Sequence, residues 1–170
     1  MEAGIGAVHR YSPAEESRLM RSRLFLCGLV SLVLASAAHS APVVSYFPKQ
    51  DLGRLLTEQF DLASIRSSFG PRRTSAQRTF SDFGMTPSKA TDDDLVFDTP
   101  GDWFYEMIIV NRRDANGDGI EDLEVCFIDK ALNGGSYNTA QSLLITRYSK
   151  NSYATALSFS VDACEKAAVK

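Results

Sequence analysis

Asp122-Leu123-Glu124-Val125-Cys126-Phe127-Ile128 alternates residue by residue. Leu123, Val125 and Phe127 share one face and Glu124, Cys126 and Ile128 the other, which is the two-residue period of a β-strand. Upstream, Trp103–Val110 is rich in aromatic and branched residues, as strands are. Downstream, Asn133-Gly134-Gly135 marks a loop, Ser142–Tyr148 reads as a strand and Ser149–Ser152 as a hairpin turn. Tyr153–Val161 predicts a fourth strand, with Tyr153, Thr155, Leu157, Phe159 and Val161 on its apolar face against Ala154, Ala156, Ser158 and Ser160. Four consecutive strands with short connections predict an antiparallel meander.

Further outward the pattern changes. Gln50–Phe60 places Leu52, Leu55, Leu56 and Phe60 at helical spacing, an amphipathic helix with one apolar stripe. Leu62, Ile65 and Phe69 continue that spacing into a second short helix, which Gly70-Pro71 stops. Pro71–Asp94 is polar and turn-rich, with a short strand expected at Thr79–Phe83; Leu95–Phe97 is another, before the turn Thr99-Pro100-Gly101. A sheet must bury its apolar face against something. The expected class is therefore α+β, an N-terminal amphipathic helix packed on an antiparallel meander of about four or more strands.

The first forty residues read differently. From Met20 the order is cationic (Arg21, Arg23), then apolar from Leu24 to about Leu34, then small (Ala35-Ser36-Ala37-Ala38), as in a secretory signal peptide cut before Ala41. The apolar run is shorter than the roughly 20 residues of a spanning helix, and Cys27 lies too early in it for lipid attachment. Residues 1–19 are expected to be a non-native upstream extension, residues 20–40 the signal, and residues 41–170 a single mature domain with no membrane span. That domain carries 14 Lys and Arg against 18 Asp and Glu, a net charge of −4 that argues against a nucleic-acid partner. Its two cysteines, Cys126 and Cys164, are most simply one disulfide in an exported chain, the alternative being two buried thiols.

Histidine limits the chemistry. His9 and His39 both precede Ala41, so the mature domain lacks imidazole, and with it the Ser-His-Asp triad, the Cys-His pair and the histidine-based zinc site. Carboxylates remain for acid/base work, with Asp92, Asp93, Asp94, Asp98, Asp102 and Glu106 as candidates against the simpler reading of a solvated turn. Arg72, Arg73 and Arg78 form a candidate anion patch, or pair with neighbouring acids. Trp103-Phe104-Tyr105 is either core or a stacking platform for a sugar.

Asp114-Ala115-Asn116-Gly117-Asp118-Gly119-Ile120-Glu121-Asp122 carries the clearest chemical signal, with oxygen-bearing residues at the first, third, fifth and ninth positions and glycine at the sixth. It resembles the calcium loops of the EF-hand superfamily and, more closely, the nine-residue loops of integrin-type FG-GAP repeats. The resemblance covers roughly Tyr105–Ile128. It implies calcium held by the side chains of Asp114, Asn116, Asp118 and Asp122 and by the carbonyl of Ile120. Two features depart from the pattern: the twelfth position, a bidentate glutamate in an EF-hand, is Val125, and the flanks read as strands. A single copy also excludes a β-propeller. These readings predict a secreted or periplasmic module with one structural calcium site, binding or inhibiting a protein or small ligand and not acting as an enzyme. The alternative is a small histidine-independent hydrolase using a carboxylate pair.

Overall fold

The computed structural model describes residues 42–74 and 76–169. The expected upstream extension (1–19) and signal peptide (20–40), with Cys27 and both histidines, lie outside the described residues. Six strands follow one another in a single antiparallel sheet in chain order: β1 (Lys89–Ala90), β2 (Asp94–Thr99), β3 (Trp103–Arg113), β4 (Asp122–Ala131), β5 (Asn138–Thr146) and β6 (Thr155–Leu157). Among the described residues two helices accompany it, α1 (Leu52–Gln59) and α2 (Ala163–Ala167), with short 3-10 turns at Leu62–Ser64 and Ser81–Phe83. No helix among the described residues is long and apolar enough to cross a membrane.

The alternation of β4 sorts its side chains as its sequence predicts. Leu123, Val125 and Phe127 enter the main core, where Leu95, Phe97, Tyr105, Met107, Ile109, Leu143 and Ile145 join them from neighbouring strands. Leu52, Leu56 and Phe60 of the α1 segment close that core from above. The start of α1 is capped from a distance: the Leu52 N–H donates to Asp92 Oδ1 (2.9 Å) and the Gly53 N–H to the Thr91 carbonyl (3.0 Å). A Cβ at Gly53 would lie 2.7 Å from that carbonyl, so only glycine lets helix and β1–β2 turn approach this closely.

Two local expectations are corrected. Thr79–Phe83 is not a strand: Asp82 turns its carboxylate back onto the N–H groups of Arg78 and Thr79 (2.8 Å each), which winds the chain into the 3-10 turn and sends Phe80 into the core against Phe97 (centroids 4.3 Å). The last strand is only three residues long, and its faces are the reverse of those expected. Ala154 and Ala156 face the core, while Tyr153 and Phe159 are 41% and 45% exposed. The cause is the end of α1. Ala154 donates to the Gln59 carbonyl (2.8 Å) and accepts from the Asp61 N–H (2.8 Å), so Phe60 fills the space above it and only a methyl fits beneath.

The opposite face of β4 is also covered. Cys126 is joined to Cys164 on α2, the Cys164 N–H donates to Ser142 Oγ (2.9 Å), and the solvent-inaccessible Glu124 accepts from Arg113 Nε (2.6 Å) and from Lys166 Nζ. Burial alone would raise the Glu124 carboxyl, but its bonds to Lys166 and Arg113 outweigh burial and hold it below the ordinary range. A carboxyl depressed in the folded state contributes stability that is present above its unfolded value and lost as the pH falls through the folded one. Acid unfolding below about pH 4 should therefore shift upward in pH in Lys166→Met, followed by circular dichroism. Breaking the crosslink, which closes 38 residues, should cost about 4 kcal/mol in a reduced-versus-oxidised denaturant titration. Mass spectrometry without reductant should find both cysteines resistant to alkylation.

Candidate functional site

β3 and β4 form the longest ladder of the sheet, from the Trp103/Ala131 pair to the Arg113/Asp122 pair, with one register shift between Ile109 and Asn111. The acidic segment is what closes this hairpin. Asp114 organises it: Oδ1 accepts from the Gly117 (2.7 Å) and Asp118 (3.1 Å) N–H groups, and Oδ2 from Gly119 (2.9 Å). Asn116 Oδ1 accepts from the Asp118 N–H (3.0 Å), and Asp118 Oδ1 from Ile120 (2.9 Å). Gly117 and Gly119 take left-handed φ values of 80° and 81°, conformations that other residues adopt only with strain. The far side is fixed by the N-terminal lead-in, where Val44 pairs in parallel with Ile120 through Val44 N–H to Gly119 O (2.9 Å) and Glu121 N–H to Val44 O (2.8 Å).

Asp122 is the unusual member. It is fully buried; Oδ2 accepts from the Ala115 N–H (3.1 Å) and Oδ1 has no partner among the described residues. The Thr146 hydroxyl lies beside it, close enough to favour the charged form but outside hydrogen-bonding geometry, and is itself unpartnered. Burial, aided by the charge of Asp118, raises the Asp122 carboxyl above the ordinary range. Glu121 does not join the cluster: it turns outward to Arg112 (2.6 Å) and Ser45 (2.9 Å). Among the described residues, no three histidine, cysteine, aspartate or glutamate side chains converge as a ready-made metal cage. The loop thus places Asp114, Asn116, Asp118 and Asp122 around one turn, with most of their oxygens engaged by backbone N–H groups.

The other candidates separate. Asp92 caps α1, and Asp94 pairs with Lys89 (2.5 Å). Glu106 is raised by its burial and then by the charge of Asp94, its neighbour across the β2–β3 ladder. These two carboxyls sit side by side on a sheet face, whereas glycoside cleavage needs carboxylates roughly 5–10 Å apart flanking a cleft. Of the three arginines, two lie within reach of the Asp61 charge, Arg73 and Arg78. Arg78 binds Asp61 (2.6 Å) and lies over the Tyr153 ring (4.2 Å), Arg73 donates to the Arg66 carbonyl (2.8 Å), and Arg72 is exposed.

Two buried charges carry no obvious sequence signature. Asp129 accepts from the Trp103 indole, from Gly70 N–H (2.8 Å) and weakly from the Tyr137 hydroxyl (3.5 Å); Trp103 and Tyr105 therefore belong to the fold's interior packing. Arg147, buried without a carboxylate partner, donates to the carbonyls of Tyr46 (2.9 Å), Ser152 (3.0 Å) and Lys150 and to the Gln59 amide oxygen (2.6 Å).

Comparison with protein-family models, with curated proteins and with solved structures finds no match for this chain. The chemistry of the site therefore rests on its own groups, above all on Asp122. A carboxyl raised in the folded state favours the proton there, so its charge costs stability above the folded value and that cost is relieved as the pH falls through it toward the unfolded value. Without divalent cations, Asp122→Asn should raise the melting temperature at pH 8. As the pH falls from 8 toward the ordinary carboxylate range, calorimetry should show that the native chain gains more stability than this variant does.

Proposed function

We propose that the chain is an exported interaction module whose β3–β4 connection takes one calcium ion, with a stabilising role. The observation that carries this reading is the buried Asp122 carboxylate, with one oxygen unpartnered, in a loop that also holds Asp114 and Asp118. A buried charge without a counter-ion is costly, and a hard dication is the natural relief for three carboxylates in nine residues. Asp114, Asn116, Asp118, Asp122 and the Ile120 carbonyl would hold it, water completing the six to eight oxygens calcium prefers. The Ile120 carbonyl accepts no backbone hydrogen bond among the described residues, and each carboxylate oxygen keeps a lone pair beyond the N–H it accepts. With Val125 in place of the twelfth-position glutamate, affinity falls at the weak, extracellular end, about 0.1–1 mM.

Export rests on the leader-like order of residues 20–40 and on the Cys126–Cys164 disulfide, which suits a secreted or periplasmic setting. The interaction role rests on a mature domain without imidazole, in which Asp92 is taken up by a helix cap and Asp94 by an ion pair.

Calcium at about 5 mM should raise the melting temperature of the oxidised protein by several degrees, and magnesium should do so less. Asp118→Ala should remove the calcium effect while leaving the metal-free melting curve close to that of the native chain. An unchanged melting curve in calcium would leave the loop as a self-capped polar turn and remove the cation from the reading.

A further inference from the structure

β5 is nine residues long but β6 covers only its last three, through the pairs Leu144/Leu157, Ile145/Ala156 and Thr146/Thr155. Beyond Leu157 the chain leaves the sheet, and the disulfide accounts for its path. Cys164 must reach Cys126 on the sheet's other face, at a Cα separation of 4.5 Å, so residues 158–162 cross away from the edge they would otherwise extend. Between β5 and Ser158–Ser160 this leaves a groove of about 450 Å³.

The ladder tells which backbone groups face that groove. The Ala156 N–H points away from β5, to Ser64 Oγ (2.9 Å), and Ala154 likewise bonds to Gln59 and Asp61. Thr155 and Leu157 are therefore the residues that bond to β5, through Thr146 and Leu144. Because the β4–β5 register runs unbroken from Lys130/Asn138 to Leu123/Ile145, Ala140 and Ser142 direct their N–H and C=O groups the same way, toward this edge, with Ser142 lining the groove and Ala140 exposed beyond it. Neither is paired there among the described residues. The side chains add to this. Gln141 lines the groove with a buried Oε1 that lacks a donor, Leu143 and the exposed Phe159 supply apolar surface, and Arg66 sits at the rim without an ion-pair partner among the described residues.

We propose that this open edge of β5 takes an extended peptide segment of a partner protein as an added strand, with a carboxylate side chain of that segment meeting Arg66. A peptide backbone is the occupant that fits. Ala140 and Ser142 repeat their donor–acceptor pairs every two residues, about 6.8 Å along the strand, a spacing that another strand reproduces. Strand addition draws affinity from such main-chain bonds and specificity from alternate side-chain pockets. One of those side chains, or a backbone N–H, supplies the donor that Gln141 Oε1 lacks. The edge lies on β5, away from the β3–β4 connection, so the proposal stands independently of calcium.

The test is selection of a random decapeptide display library on the oxidised chain, followed by hydrogen–deuterium exchange with the selected peptide. Selected sequences should carry Asp or Glu at one position and alternate apolar residues, and binding should slow exchange at Ala140 and Ser142. Ala140→Pro removes only an N–H that faces the open edge beside the groove, and Ser158→Trp fills the groove from its far wall. Each should weaken binding at least tenfold while the melting temperature stays near the native value. Asp118→Ala should bind the peptide as the native chain does, which separates this result from the fate of the calcium reading. Three results would overturn the proposal: enrichment of no peptide, binding that survives both groove variants, or a concentration-dependent dimer abolished by Ala140→Pro, which would give the edge to a second copy of the chain.

Discussion

From Asp122 to Phe127, β4 has solvent on neither side. Leu123, Val125 and Phe127 are packed beneath α1 and the Phe80 turn, and Glu124 and Cys126 lie under α2 on the reverse face. A strand buried on both sides normally reads as an unbroken apolar run, whereas this one keeps a strict alternation and still loses its solvent. Its polar face can be covered because the covering is specific: a disulfide, and a carboxylate matched to a lysine and an arginine. Burying Glu124 without Arg113 and Lys166 would leave an uncompensated charge, so five residues of helix must arrive in one place and one orientation. The length of β3, the position of the acidic loop and the retreat of residues 158–162 from the sheet all follow from how β4 is held.

The central strands were legible because their pattern is local. Alternation in Asp122–Ile128, aromatic density in Trp103–Val110 and the Ser149–Ser152 turn need no knowledge of distant residues, and the cysteine count pointed to the one crosslink. Misreadings arose where distant groups decide. Thr79–Phe83 carries strand-forming residues, yet the Asp82 side chain competes for the backbone N–H groups it would have offered to a neighbour. In Tyr153–Leu157 the large residues marked the wrong face, because bonds from Gln59 and Asp61 reserve the inner positions for alanine.

The acidic loop shows the same division. Its residue types and spacing place the oxygens on one turn and the glycines where positive φ is needed, all visible in nine letters. Two features depended on the third dimension: Glu121 belongs to Arg112 rather than to the loop, and Asp122 loses all contact with solvent. Burial is a property of what packs around a residue, here the far end of β5 with its Thr146 hydroxyl. Asp129 and Arg147 were silent for the same reason, since their partners lie 59 and up to 101 residues away along the chain.

Those long spans bear on when the fold can form. Val44 bonds to Gly119 and Glu121, Tyr46 to Arg147, Asp61 to Ala154 and Gly70 to Asp129, so beside nearer bonds such as Leu52 to Asp92 and Leu62 to Arg78, the segment from 44 to 70 is tied to partners between 119 and 154. Contacts of such sequence separation make folding slow, because loop closure must be completed before the contacts reward it. A nascent chain lacks these distant partners until β4, β5 and Ala154 have been synthesised, and α2 comes later still. Final closure is therefore an event of the whole chain, and a polypeptide of this design completes its core only when its C-terminal strands have been made.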